Sequence, residues 1–432
     1  MTSTGAAPDV LGQTASGSTG RDQQALAISG GPRSVTLPQD DAFRWPIITR
    51  EDEEAVLAVL RSGELSINRV VAEFEGEFRE WIGTRHAIAH NNGTGAIHAA
   101  LNAFDLEPGD EVIVQSGTWW SSVMPILHQG AVPVFAEAEA ATGGLDPQDV
   151  EARITPRTRA MIVVHLFGMP SRMNELLAVA RRHKLRVLED ASHAHGAKYD
   201  GRMVGTLGDA AVFSLQANKL VPSAEGGVLV TQDDALAEKV IRYGHYERLL
   251  PMKESPNRRF AATGFGMKYR MSPLSAAVAR VQLRHLAERS RVRTANCVAL
   301  SHHLRPLGID PYLAPSGSER VYFEFLVRND EERTQWPTAK LAEALHAEGA
   351  LVGAPRYPLL HQQPVFTEGT WAKIARLQGT NSAQRRYDPA DLPRTIRANS
   401  LLLKLPVFPH ASDALIQQYA DAFRKVLGCR PK

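Results

Sequence analysis

Cysteine is scarce in this sequence: Cys297 and Cys429 are the only two in 432 residues, and they lie far apart. They supply neither a disulfide framework nor a metal-ligand spacing, so a reducing, cytoplasmic setting is expected. Long apolar runs are missing too. None approaches the roughly 20 residues that a membrane helix needs, so no membrane association is expected. The first residues lack a basic segment followed by an apolar one, and no secretory signal is expected. Charge of one sign is also not in surplus. Lys and Arg total 49 against 47 Asp and Glu, a net charge of +2. No basic face follows from that balance, and nucleic acid is not an expected partner.

What is present is an ordinary globular composition, 44% hydrophobic and 22% charged, long enough for more than one domain. Residues 1–40 are rich in Ser, Thr, Gly, Ala and Gln and read as a disordered tail, with local packing open to Val35 to Leu37. Helical spacing runs from Glu51 to Leu60, and Phe74, Phe78 and Trp81 share a helical face. After Gly93 the pattern alternates. Helices are expected at Gly93 to Phe104 and Met173 to His183. Strands are expected at Glu111 to Gln115, Val132 to Phe135, Ala160 to Val164, Arg186 to Glu189, Ala210 to Ser214 and Gly227 to Thr231. Apolar strands separated by helices predict an α/β fold with a mostly parallel sheet covered on both faces. A large domain is expected over 41–294, with a long helix between Pro273 and Arg289. A smaller α+β domain is expected over 295–432, with a strand at Val321 to Val327 and helices at Thr338 to Glu348 and Asp413 to Leu427. Gly369 to Pro393 reads as polar and irregular.

Four segments carry chemistry. The first is Glu189-Asp190-Ala191-Ser192-His193-Ala194-His195-Gly196, directly after an apolar strand. Its acids lie at the carboxyl end of that strand, the edge where open α/β sheets bind ligands. A solvated acidic turn is the plain alternative, and a metal site on Asp190, His193 and His195 is another. The second is Ser214-Leu215-Gln216-Ala217-Asn218-Lys219, a polar turn with a single lysine between two buried strands. Lysines are usually surface residues. One held near a cofactor loses its proton and forms an imine. The third is Asn91-Asn92-Gly93-Thr94 at a helix start, where free N–H groups favour a phosphate, although Gly-Thr is also an ordinary cap. The fourth is Ser116-Gly117-Thr118-Trp119-Trp120-Ser121-Ser122, whose indoles fit either a core or a flat ring.

Together these match what pyridoxal phosphate (PLP) needs. A lysine forms the imine, a carboxylate keeps the pyridine nitrogen protonated, a helix N-terminus holds the phosphate, and a flat side chain fixes the ring. Three of the four follow a strand.

From about Trp45 to Leu427 the chain resembles the DegT/DnrJ/EryC1/StrS sugar aminotransferases. The likeness rests on Glu189 to Gly196, on Gly205-Thr206-Leu207-Gly208-Asp209-Ala210-Ala211-Val212-Phe213-Ser214 and on Val164-His165-Leu166-Phe167-Gly168. The resemblance implies a fold-type I, aspartate-aminotransferase-like PLP enzyme. It implies Lys219 as the catalytic Schiff-base lysine, Asp190 on the pyridine nitrogen, His193 by the ring hydroxyl and Trp119 stacked on the ring. Gly93, Thr94 and Ser214 would hold the phosphate. It implies a homodimer with shared sites, with Gly266-Met267-Lys268-Tyr269-Arg270-Met271 reaching the neighbour. Lys268 stands where the family often has Asn, and Ala224 where it often has Gly. His361 falls in a segment similar to a substrate-side one, and a plain polar loop is the alternative. The implied reaction moves an amino group from L-glutamate or L-glutamine to a keto-sugar or ketocyclitol, in aminosugar or antibiotic pathways. Other PLP chemistry on the scaffold and a non-catalytic regulator are the rivals. Family dehydratases carry His in place of the lysine.

Overall fold

The computed structural model describes residues 25–66 and 69–431. Its centre is a seven-stranded sheet. The strands are β1 (His86–His90), β2 (Glu111–Gln115), β3 (Val132–Ala136), β4 (Thr158–Val164), β5 (Arg186–Asp190), β6 (Ala210–Ser214) and β7 (Gly227–Thr231). Their spatial order is β1-β7-β6-β5-β4-β2-β3. The pairings β6-β5-β4-β2-β3 are parallel, and β7 runs antiparallel to both neighbours. Strands β2 and β3 are buried at every position, which is why they read as continuous apolar runs rather than as alternation. One strand went unread in the sequence: β1, His-Ala-Ile-Ala-His, whose polar ends mask a short apolar centre.

One face of the sheet carries the helix Gly93–Ala103 and a core that includes Ile97, Leu101, Val112, Val114, Leu188 and Val212. The opposite face packs against the helix Arg69–Ile82, where Phe74, Phe78 and Ile82 recur every four residues and are all buried. Each such side chain contributes about 1.5–3 kcal/mol through burial. The helix Arg50–Ser62 is fixed at its start by Asp52, which accepts the Thr49 N–H at 2.8 Å and the Gln282 amide at 2.7 Å.

The Gln282 contact belongs to a continuous helix, Pro273–Leu304. Its first half packs on the large body. Its second half delivers Cys297, Leu300 and Leu304 to a separate core with Phe325, Leu341 and Phe423. The two bodies therefore meet inside one helix, and the boundary expected at 294/295 falls within it. The small body is built on a three-stranded antiparallel sheet (Ile309–Asp310, Phe325–Asn329, Leu402–Leu405) and the helices Thr338–Ala347 and Asp413–Leu427. Part of the stretch expected in it lies elsewhere. Leu360, Phe366, Trp371 and Tyr387 return to the core of the large body, and Trp371 is fully buried.

Residues 1–24 of the expected tail lie outside the described residues. Residues 25–40 form a strap on the small body. Glu348 accepts the N–H groups of Ala27 and Ser34 at 2.8 and 3.0 Å and pairs with Lys425, and Gln418 takes the N–H groups of Thr36 and Leu37. Among the described residues, no helix is long and apolar enough to cross a membrane.

Candidate active site

The carboxyl ends of β4, β5 and β6 open into a cavity of about 490 Å³. Gly93, Thr94, Trp119, Asp190, His193, Ser214 and Lys219 all line it. They come from segments spread over more than a hundred residues, and the sheet brings them to one edge.

Asp190 ends β5 and is 5% exposed. Its carboxylate accepts the Ser122 hydroxyl at 2.7 Å and the Ser192 N–H at 3.1 Å. Adjacent Glu189 points the other way, as strand alternation requires. It accepts the N–H groups of Gly205, Leu207 and Gly208 at 2.7–2.9 Å and the His165 ring at 3.0 Å. Burial alone would raise its pKa, but these donors hold the carboxylate below its usual range. Glu189 thereby fixes the loop that leads into β6.

Strand β6 ends at Ser214, whose N–H donates to the Ser192 hydroxyl at 3.1 Å. The turn that follows closes through Ala217 N–H to the Ala224 carbonyl, 2.9 Å, and Lys219 N–H to the Gln216 carbonyl, 2.7 Å. Ala224 sits at φ 67°, a left-handed conformation that favours glycine. The Lys219 ammonium lies 4.5 Å from the centre of the Phe323 ring. Burial lowers it from its ordinary value to about 8; Arg356 adds to the shift, while Asp190 and Glu324 oppose it.

The helix Gly93–Ala103 points its N-terminus at the cavity. Asn92 caps it by accepting the Gly95 N–H at 2.7 Å, and the Thr94 hydroxyl donates to Ser121 at 2.9 Å. The first N–H groups of a helix have no acceptor within it. Gly93 packs so closely on β6 that a Cβ there would lie 2.9 Å from the Ser214 Cβ.

His193 is 3% exposed and stacks on Phe323 at 4.2 Å between centroids. Its Nδ1 accepts the Phe167 N–H at 3.3 Å, so the ring proton resides on Nε2, which meets the Tyr357 hydroxyl at 3.1 Å. Burial, with the Lys219 and Arg356 charges, keeps this imidazole neutral, well below its usual titration range. Phe167 is held at φ 55°, costly for an aromatic residue, at the point where its N–H meets His193. His195, two residues on, packs against Phe213 at 5.1 Å and does not line the cavity. The Asp190-His193-His195 metal alternative therefore lacks a common centre. The Trp119 indole is 44% exposed and lies 5.5 Å from Tyr357 between ring centroids.

Two expected site residues lie elsewhere. His361 is buried behind the cavity, where its Nδ1 meets the Ser116 hydroxyl at 2.7 Å and its N–H donates to the same oxygen. Lys268 is exposed outside this cavity, on a segment anchored by Asn91 N–H to the Tyr269 carbonyl at 2.7 Å. Sequence reading also missed several lining residues: Ser122, Ser192, Gln216, Phe323, Arg356 and Tyr357. The two serines lie inside motifs already singled out. Phe323 and Arg356 come from the far end of the chain and carry no local signal, whereas Tyr357 opens the Tyr357-to-Pro364 segment read as substrate-side, in which His361 was singled out instead.

The arrangement fits PLP. An amine near neutrality, a buried carboxylate, a flat indole and a helix N-terminus backed by Ser214 share one cavity. Comparisons with known proteins agree. The DegT/DnrJ/EryC1/StrS aminotransferase family model matches residues 46–424. The chain is 45% identical over 343 residues to GDP-perosamine synthase of Caulobacter vibrioides, covering 77% of this chain and 90% of that one. It is 35% identical over 368 residues, 82% and 86% of the two chains, to a Micromonospora echinospora protein provisionally assigned as an L-glutamine:3-amino-2,3-dideoxy-scyllo-inosose aminotransferase. Among solved structures, S. venezuelae DesV, determined with a ketimine intermediate, superposes with a TM-score of 0.76 at 31% identity, covering 93% of this chain and all of that one. The chain belongs to the DegT/DnrJ/EryC1/StrS family, and it is a pyridoxal-phosphate-dependent aminotransferase.

Proposed function

We propose that this enzyme transfers an amino group from L-glutamate or L-glutamine to a keto-sugar, working in the cytoplasm as a homodimer with shared sites. The observation that carries the reading is the placement of Lys219 and Asp190 on the walls of one cavity that also receives a helix N-terminus. PLP, when bound, supplies an aldehyde that captures amines and a ring that accepts electrons. In this reading the N-terminal N–H groups of the helix Gly93–Ala103, with Thr94 and Ser214, hold the phosphate. The Asp190 carboxylate, fixed by Ser122 and Ser192, holds a proton on the pyridine nitrogen. Trp119 confines the ring plane. Lys219 Nζ takes the proton from the donor's α-carbon and returns one on the acceptor side. Its pull toward neutrality keeps an unprotonated fraction available near pH 8. Exposed Lys268 is offered to the neighbouring subunit's cofactor phosphate.

The 45% identity to a GDP-perosamine synthase favours a nucleotide-linked keto-sugar as acceptor. A ketocyclitol is the second reading, favoured by the inosose aminotransferase relative. The purified protein with PLP should lose its visible band on adding L-glutamate or L-glutamine and regain it on adding the acceptor. Borohydride should fix the cofactor to the peptide containing Lys219. A band that survives both donors, or a label on another lysine, would refute the assignment.

A further inference from the structure

Among the described residues, two cationic side chains line the cavity, Lys219 and Arg356. Lys219 is committed to the cofactor. Arg356 comes from the segment that leaves the small body. Its Nε bonds to Glu324, a carboxylate only 3% exposed, and Lys404 approaches the same oxygen at 3.6 Å. The second oxygen of Glu324 has no hydrogen-bond partner among the described residues. A buried carboxylate with one unshared oxygen orients the guanidinium strongly. Yet Glu324 engages only the Nε of Arg356. The terminal amino groups donate to no described residue, and the side chain keeps 38% of its surface open. Such a fork matches a carboxylate or a phosphate in a two-point contact, which a lysine does not provide.

The position of Arg356 bears on the same point. Its guanidinium lies 5.7 Å from the centre of the Phe323 ring, which also faces the Lys219 ammonium. Two cations over one ring repel each other. Neutralising Glu324 alone would not require this, because Lys404 already stands beside it.

We propose that Arg356 is the anion anchor of the substrate side of the cavity, held by Glu324 and receiving a substrate oxyanion on its free edge. The inference rests on the aminotransferase reading above. The oxyanion has two sources, the carboxylate of the amino donor and the phosphate of a nucleotide-linked acceptor, and the two half-reactions separate them.

The test uses the full-length PLP-loaded enzyme and the variants Arg356→Gln, Arg356→Lys and Arg356→Gln/Glu324→Gln. The double variant avoids leaving Glu324 buried without its cation. Arg356→Gln should weaken binding of the anionic substrate by about 10–100-fold, the scale of a charge-assisted pair. Arg356→Lys should recover only part of this. The visible band should still form with PLP. If the donor carboxylate is the ligand, L-glutamate suffers and 4-aminobutyrate, which lacks the α-carboxylate, does not. If the phosphate is the ligand, the loss appears with the nucleotide-linked keto-sugar and not with the free sugar. A second readout excludes a purely structural role. A bound oxyanion offsets the positive charge beside Lys219, so a saturating non-reactive dicarboxylate should raise the pH midpoint at which the visible band titrates in wild type and not in Arg356→Gln. If every variant keeps wild-type substrate affinities in both half-reactions, Arg356 only clamps the fold and the proposal is overturned. A wild-type protein that forms no band with PLP would instead remove the underlying reading, and this inference with it.

Discussion

The indole N–H of Trp45 donates to the backbone carbonyl of Lys219 at 3.1 Å. The Arg293 guanidinium covers the same indole at 3.8 Å and donates to the Tyr322 carbonyl at 3.2 Å. The turn bearing Lys219 is thus tied to the N-terminal segment and to the long helix. Trp45→Phe keeps a ring under Arg293 and deletes the donor. It should cost about 1 kcal/mol in thermal unfolding and weaken PLP binding several-fold in a titration of the visible band. Unchanged PLP affinity would show that the turn holds its shape without this bond.

In the proposed scheme the Lys219 amine attacks PLP only when neutral. Its ammonium is lowered to about 8, so the rate of band growth after mixing apoprotein with PLP should rise with pH through about 8 and level off above it. Because folding favours the neutral amine, protonating it opposes folding. Its contribution to stability is therefore larger at high pH and declines as pH falls from the unfolded lysine range through about 8. Stopped-flow absorbance between pH 6.5 and 9.5 checks the first statement. A flat profile contradicts it.

Asp190→Asn keeps the size of the side chain and an acceptor for Ser122 while removing the charge. It should lower the donor half-reaction rate by about 10²–10³-fold, as for other fixed electrostatic groups, with thermal stability near wild type. Ser122→Ala, which only loosens the carboxylate, should cost far less. Single-turnover kinetics with L-glutamate distinguish the two.

Glu189→Gln should behave in the opposite way, as a stability variant. Both carboxylate oxygens face N–H donors, so the new amide N–H₂ meets a donor in either orientation. A loss of about 2–3 kcal/mol is expected. The wild-type carboxylate is held below its usual range, so its contribution is present at neutral pH and is lost as pH falls through the folded-state value. The gap between variant and wild type in thermal unfolding should therefore narrow in acid.

Ala224→Gly relieves a left-handed residue at φ 67° but loosens the unfolded chain. The change should be neutral to stabilising by up to about 1 kcal/mol by denaturant titration. A clear destabilisation would show that the methyl group has a packing role.

Strand identity in the sheet was legible because parallel strands buried on both faces read as apolar runs. That Lys219 and Asp190 would share one sheet edge was legible because each follows such a run. Arg356, Phe323 and Tyr357 were not. They enter the cavity from the small body, and no local pattern ties position 356 to position 219. Residues 25–40 misled for a related reason. Their contacts, such as Ala27 with Glu348, form across more than three hundred residues, so their polar composition resembled that of a solvated tail. The helix Pro273–Leu304 crosses both bodies without a break, so no linker accompanies the change of texture near 295.

Neighbouring Glu189 and Asp190 also define how the enzyme tolerates insertion and deletion. A strand sends successive side chains to opposite sides, so removing or adding one residue in β5 exchanges their destinations. The longer acid would then arrive among the reactants, and the shorter one would fall short of the Gly205–Gly208 amides. A frame error of a single amino acid would disable architecture and chemistry at once.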